Sequence, residues 1–215
     1  MRLHQFFMSS ASYRVRIALN IKGQPYESLP VNLRSAEQLA PEFSALNPAQ
    51  LVPVLEHEGE SLSQSLAIIE YLDERFPNPP LLPRTSAADR AYVRQLALTI
   101  ACDIHPLNNL RVLKYLRDPF GQGDAARDAW ARHWIELGFA AIEARLAASP
   151  RRGRFCFGDS PTLADVCLMP QIANALRVKT DLSPYPAIRA IEQNCAALEP
   201  FRRAHPMAQP EANPP

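Results

Sequence analysis

The chain has 215 residues and a mass of 24.0 kDa, enough for one large or two small domains whose cores need no disulfide or metal staple. Hydrophobic residues make up 47% and charged residues 21%, which excludes a disordered chain; 23 basic against 22 acidic side chains leave a net charge of +1, without the basic excess of a nucleic-acid protein. No apolar run reaches the ~18 residues of a membrane-spanning helix, and Met1–Phe7 lacks a signal-peptide core, so a cytoplasmic protein with no membrane partner is expected. Cys102, Cys156, Cys167 and Cys195 form no CxxC pair and no ligand spacing with histidine; they read as free buried thiols, with no metal site.

Residues 2–7 are short and apolar and read as a strand. Val15, Ala18, Leu19 and Lys22 fall at helical spacing in 12–22, and Gly23 supplies the stop. A second strand over 26–31 is followed by a less regular helix over 35–45, ending before Asn47-Pro48. Val52–Leu55 is strand-like, Gly59 marks a hairpin turn, and Leu62 opens a short last strand. Ser65 then precedes Leu66, Ile68, Ile69 and Leu72, a helix running to about Phe76. The order β-α-β-α-β-β-α over residues 1–82 is the layout of a thioredoxin-like α/β domain, or of a fragment of another α/β sheet.

Pro77, Pro79, Pro80 and Pro83 place a linker at 77–86. Beyond it strand signals fade. Ala87–Leu116 is one long helical pattern broken at Pro106. Residues 125–148 form another, with Trp130, Trp134, Leu137 and Ala141 on one face, and 162–176 and 185–198 two more. Residues 87–207 therefore read as an all-α helical bundle. The polar, proline-rich tail 208–215 is expected to be disordered. Thr162-Leu163-Ala164-Asp165 reads as a capping box, from N-cap to N3.

Three segments carry chemistry. In Met8-Ser9-Ser10-Ala11-Ser12, hydroxyls sit where a strand feeds a helix, a place that favours an anion; a hydroxyl donor there stabilises a thiolate as it would an oxyanion. The turn contains no cysteine, so a thiol has to arrive on a ligand. Leu51-Val52-Pro53-Val54 puts a proline at a strand start, which suits a cis bond and open backbone groups for an extended peptide. Gln64-Ser65 puts an amide and a hydroxyl at a further helix N-terminus, suited to a carboxylate. In this order the segments resemble the glutathione site of the cytosolic glutathione transferases. The run S-S-A-S-Y-R-V-R-I-A-L (Ser9–Leu19) is similar to the zeta-class signature S-S-C-x-x-R-V-R-I-A-L, with Ala11 in place of the cysteine. Asp103–Leu113 resembles the same class, in particular its bacterial maleylpyruvate and maleylacetoacetate isomerases. The resemblance spans residues 1 to about 205.

That resemblance implies the cytosolic glutathione transferase fold, glutathione as cofactor, and a homodimer. It implies cis–trans isomerisation of a carbonyl-conjugated double bond in ring catabolism: glutathione thiolate adds to the alkene, the bond rotates, and elimination restores the thiolate. A free thiol with pKa near ~8.5 is only a few per cent ionised at pH 7, and lowering it by about two takes ~2.7 kcal/mol. Ser10 is the first candidate for the catalytic donor, with Ser9 beside it. Val52, ahead of Pro53, is expected to pair with the glutathione backbone and Gln64 and Ser65 to hold its γ-glutamyl end, with Gln50 and His105 contributing. Arg111 and Arg177 match positions where the isomerases bind substrate carboxylates, with Asn108 in the same segment as Arg111. Met8 stands where many relatives carry an arginine. One of Arg14 and Arg16 is expected to brace the first helix. Two other functions use the same frame: a transferase for small electrophiles such as α-halo acids, and a catalytically silent interaction module. Retention of Ser10, Pro53, Gln64 and Ser65 together speaks against the silent module.

Overall fold

The computed structural model describes residues 1–212, which divide into two compact units. The first joins Met1–Pro80 to the C-terminal segment from Ala196; the second is Leu81–Cys195.

In the first unit, β1 (Arg2–Gln5), α1 (Ser10–Ile21), β2 (Glu27–Pro30), α2 (Pro41–Leu46), β3 (Val54–His57), β4 (Glu60–Ser63) and α3 (Ser65–Arg75) follow the expected order. The sheet runs β2-β1-β3-β4. β1 pairs parallel to β2, antiparallel to β3 with His4 opposite Val54, and β3 forms a hairpin with β4 in which Val54 faces Ser63. The parallel crossover beside a hairpin is the thioredoxin-like arrangement. Leu3, Val54 and Leu55 of the sheet are sealed from solvent, as are Val15, Ile17 and Leu19 of α1 and Ile68 and Leu72 of α3. Burial of this kind, at about 25 cal/mol per Å² of apolar surface, drives the layers together. The less regular second helix splits into a 3-10 turn, Glu37–Leu39, and α2, which opens on Pro41, where a missing N–H costs nothing.

The tail differs from the expectation. α9 (Glu199–Ala204) is followed by 3-10 turns at Pro206–Ala208 and Pro210–Ala212, so residues 208–212 are ordered; 213–215 lie outside the described residues. Nor does this segment belong with the helical unit, as the boundary at 207 implied. Phe201, Ala204, Pro206 and Gln209 are buried, and Gln209 Nε2 donates to the carbonyls of Arg203 (2.8 Å) and His205 (3.0 Å). A polar composition thus conceals a packed segment, because its polar side chains cap its own turns.

In the second unit the packed chain begins earlier than residue 87: Leu81 is buried, and its carbonyl accepts from Leu163 N (2.8 Å). α4 (Ala87–Leu98), capped by Ser86, gives way to a π turn at Thr99–Ile104 and a 3-10 turn at His105–Asn108 before α5 (Leu110–Arg117). The break at Pro106 is therefore present, but regular α geometry ends at Leu98. A widened turn ahead of the proline removes the clash its ring makes with the preceding turn. Gly138 permits the close approach of Ile104, whose side chain leaves no room for a Cβ there.

α6 (Asp124–Ala148) buries Ala131, Ile135, Phe139, Ile142 and Leu146. This corrects the expected face: Leu137 is 59% exposed and Ala141 faces solvent. The tryptophans misled the phase. Trp130 is only half-buried, because its indole reaches sideways to donate to Leu107 O (2.9 Å) and stacks edge-on with Trp134. α7 (Leu163–Arg177) and α8 (Pro186–Ala196) complete the unit. The capping box is formed: Thr162 N and Oγ1 both donate to Asp165 Oδ2 (2.7 and 2.8 Å), and Cys156 N donates to Oδ1 (2.9 Å). Burial raises the Asp165 pKa while these bonds oppose the rise. All four cysteines are free; Cys156, Cys167 and Cys195 are buried, but Cys102, on the π turn, is exposed, contrary to expectation.

Candidate active site

The sheet register brings the three chemical segments to one end of the first unit. The chain leaves β1 after Gln5, enters β3 at Val54 and leaves β4 after Ser63, and His4, Val54 and Ser63 lie side by side. Met8–Ser10, Gln50–Pro53 and Gln64–Ser65 therefore emerge together, although up to 57 positions apart in the chain. Phe6 packs on the cluster formed by Val31, Phe43, Val52 and Val54, which seats the first segment against the second.

The serines divide their work. Ser9, in extended geometry, is the N-cap of α1: its Oγ accepts from Ser12 N (3.2 Å) and its carbonyl from Tyr13 N (2.9 Å). It is half-buried, and the cap uses a lone pair of Oγ, not its proton. Ser10 is the first helical residue and only 7% exposed. No acidic side chain stands in the first turn of α1 to offset its positive end.

The Val52–Pro53 bond is cis, as the motif suggested. Among the described residues the Val52 N–H and C=O pair with no other backbone group, so both are open to an extended peptide. The approach is braced by Asn47, whose Nδ2 donates to Leu51 O (2.7 Å), and by Gln50, which takes a positive φ of 56° and donates from Nε2 to Ser44 Oγ (3.0 Å).

Gln64 sits at the N-cap of α3 with φ 69° and ψ 112°, a conformation that costs a non-glycine residue of order 1–3 kcal/mol and is found where function holds it. No side chain caps α3, so its first N–H groups remain available to an anion. Ser65 Oγ accepts from the buried Arg14 guanidinium (3.3 Å), which places a cation behind this helix start. The donor set, two helix N-termini with hydroxyls and an open backbone pair between them, fits a short acidic peptide carrying a thiol.

The remaining expected residues lie in the second unit. His105 and Asn108 are half-buried in the 3-10 turn; both polar atoms of the Asn108 amide are covered without a hydrogen-bond partner among the described residues. Arg111, in the first turn of α5, is exposed. Arg177, in the last turn of α7, is also exposed; Asn174 Oδ1 accepts from its Nη2 (2.6 Å), and partial desolvation of the guanidinium lowers its pKa. Asn174 was not anticipated, though its spacing of three from Arg177 on one helix is the signal that reveals it. Arg34 was missed as well: its guanidinium lies 6.0 and 5.9 Å from the ring centres of Phe6 and Phe7, next to Met8. Both Arg14 and Arg16 brace α1, where one was expected. Burial pushes the Cys156 and Cys195 thiols up, which leaves them poor nucleophiles. Among the described residues no three His, Cys, Asp or Glu side chains are grouped to hold a metal.

Residues 3–80 match the glutathione S-transferase N-terminal domain and residues 124–191 its C-terminal domain. The chain is 53% identical to a maleylpyruvate isomerase of Ralstonia sp., across 99% of this chain and 100% of that protein. Among solved structures it is similar to a holo maleylpyruvate isomerase described as a bacterial zeta-class glutathione S-transferase (54% identity, TM-score 0.96, 98% and 99% of the two chains). It is also similar to a maleylacetoacetate isomerase of Anaeromyxobacter dehalogenans with bound dicarboxyethyl glutathione and citrate (43%, 0.86, 100% and 94%). The chain belongs to the glutathione S-transferase family and, within it, to the zeta class.

Proposed function

We propose that this protein is a glutathione-dependent cis–trans isomerase of maleylacetoacetate or maleylpyruvate, working as a cytoplasmic homodimer. The observation that carries the reading is the meeting, at one end of the sheet, of a hydroxyl-bearing helix start, an open Val52 backbone pair and the uncapped start of α3. Its relatives' isomerase activity and the dicarboxyethyl glutathione bound in one of them support it. Glutathione, when bound, supplies a thiolate that adds reversibly to the alkene and so frees the bond to rotate.

The chain's own residues prepare that thiolate and hold the substrate. Val52 pairs with the peptide backbone of glutathione, with Pro53 shaping that edge and Gln50 bracing it. Gln64, Ser65 and the start of α3 take the γ-glutamyl carboxylate, with Arg14 adding charge behind them. His105 is a further expected contributor to glutathione binding. Ser9 or Ser10 donates to the thiolate, aided by the positive end of α1. The half-buried Ser9, whose proton is not used by the cap, is favoured over the nearly covered Ser10, which reverses the order the sequence suggested. Arg111, Arg177 and Asn108 bind the substrate carboxylates and carbonyl. Met8 offers the substrate an uncharged side chain beside the thiolate. The four free cysteines suit a reducing compartment.

Isomerisation of maleylacetoacetate and maleylpyruvate, followed by loss of the cis-alkene absorbance, is expected to require glutathione and to survive a chelator. Turnover of α-halo acids but of neither isomerase substrate would favour the transferase, and failure of millimolar glutathione to raise the melting temperature would favour the silent module. Light scattering at micromolar concentration is expected to give about twice the 24.0 kDa chain mass; a monomer across that range overturns the dimer.

A further inference from the structure

Arg16, in the middle of α1, is 0% exposed, and it makes no ion pair among the described residues. A buried cation of this kind is retained at a cost unless its hydrogen bonds are satisfied. Its guanidinium spends them on three parts of the first unit. Nε donates to Ala204 O of α9 (2.9 Å), Nη1 to Gln5 Oε1 of β1, and Nη2 to Phe7 O (3.0 Å). Gln5, itself buried, passes the contact on: its Nε2 donates to Ser28 Oγ (3.0 Å) and to Glu211 Oε1 (3.2 Å). The chain's last described turn thus supplies the negative charge that faces this cation through one amide.

The Phe7 contact bears on the thiol site. Ser9 N donates to Phe6 O (2.9 Å), so Phe6-Phe7-Met8-Ser9 is a hydrogen-bonded β-turn. Its central peptide is Phe7–Met8, and rotation of the central peptide is what interconverts type I and type II turns. Arg16 Nη2 holds the oxygen of that peptide. The C-terminal segment reaches Arg16 directly at Ala204 O and, through Gln5, from Glu211; separately it is tied to α1 by Asn20 Nδ2, which donates to Pro200 O (2.9 Å), and by His205, which meets the Tyr13 ring edge-on at 5.9 Å.

We propose that Arg16 is a positioning residue for the thiol site, clamped by the C-terminal segment 199–212 so that the Phe7–Met8 peptide, and with it the Ser9 cap, keeps a single orientation. The proposal rests on the reading that the Ser9–Ser10 turn receives the glutathione sulfur. It gives the ordered tail a task at the active site without any contact to ligand.

Full-length Arg16→Lys, Glu211→Gln and Asn20→Ala separate positioning from stability. Arg16→Lys keeps the charge and loses the fork. It is expected to speed amide hydrogen exchange at Ser9 at least tenfold in the ligand-free protein, and to raise the pKa of bound glutathione, read by thiolate absorbance, by about one. kcat then falls about tenfold near neutral pH, with the KM for glutathione within about twofold. Glu211→Gln is expected to move the same two readouts less, and serves if the Arg16 variant does not fold. Asn20→Ala removes a tie between α1 and Pro200 that Arg16 does not share and leaves the bonds of Arg16 to Ala204, Gln5 and Phe7 in place, so it is expected to lower the melting temperature alone. Unchanged Ser9 exchange in Arg16→Lys, or equal changes in exchange and thiol pKa in Asn20→Ala, overturns the proposal. Lack of glutathione binding by the unaltered protein overturns the functional reading instead, and the exchange arm still decides the positioning.

Discussion

Ser9→Ala is expected to lower kcat by about 10²–10³-fold while glutathione still binds, because a preorganised donor to a developing or resting anion is worth that much where water is excluded. The bound thiol's pKa rises with it, so the deficit shrinks as pH is raised and the thiol ionises without help. The same substitution removes the N-cap of α1, worth about 1 kcal/mol, and lowers the melting temperature. Ser9→Asp keeps the cap but sets a carboxylate against the thiolate; stability is expected to hold and activity to be lost. Ser10→Ala, at a position only 7% exposed, is expected to cost far less in kcat. A large loss in Ser10→Ala with a normal thiol pKa in Ser9→Ala would return the donor role to Ser10.

Arg111→Met and Arg177→Met are each expected to reduce kcat/KM for a dicarboxylate substrate by about ten- to a hundredfold, the equivalent of a charge-assisted hydrogen bond of roughly 1.5–3 kcal/mol. Turnover of a neutral aryl halide is expected to stay unchanged, which separates carboxylate binding from support of the fold. Arg177 gives the sharper result, because Asn174 already fixes one of its nitrogens and less freedom is lost on binding. Equal losses on charged and neutral substrates would mean that these arginines serve the helical unit alone.

The site was legible to different depths. Val52-Pro53 and Gln64-Ser65 stand out in the sequence because each is a short, local device: a proline that allows a cis bond, and a polar pair at a helix start. Their meeting at one end of a sheet was read only through resemblance, since strand register is set by pairing partners such as His4 with Val54 and Val54 with Ser63, not by either segment alone. The proposed preference for Ser9 over Ser10 rests on burial and on which serine is the cap, which adjacent identical residues do not reveal.

Periodicity, proline placement and capping chemistry determined the β-α-β-α-β-β-α order, the helical second half, the break near Pro106 and the Thr162–Asp165 box, because each depends on residues within a turn or two of one another. The tertiary structure alone decided the rest. Leu81 joined the helical unit, and α6 turned Ile135 and Phe139 inward while leaving Leu137 in solvent. The tail packed onto the first unit, where Ala204 O, 188 positions from Arg16, completes the acceptors that Gln5 and Phe7 provide. A buried cation has to be satisfied by whatever the fold brings to it, and that requirement leaves no periodic trace in the chain.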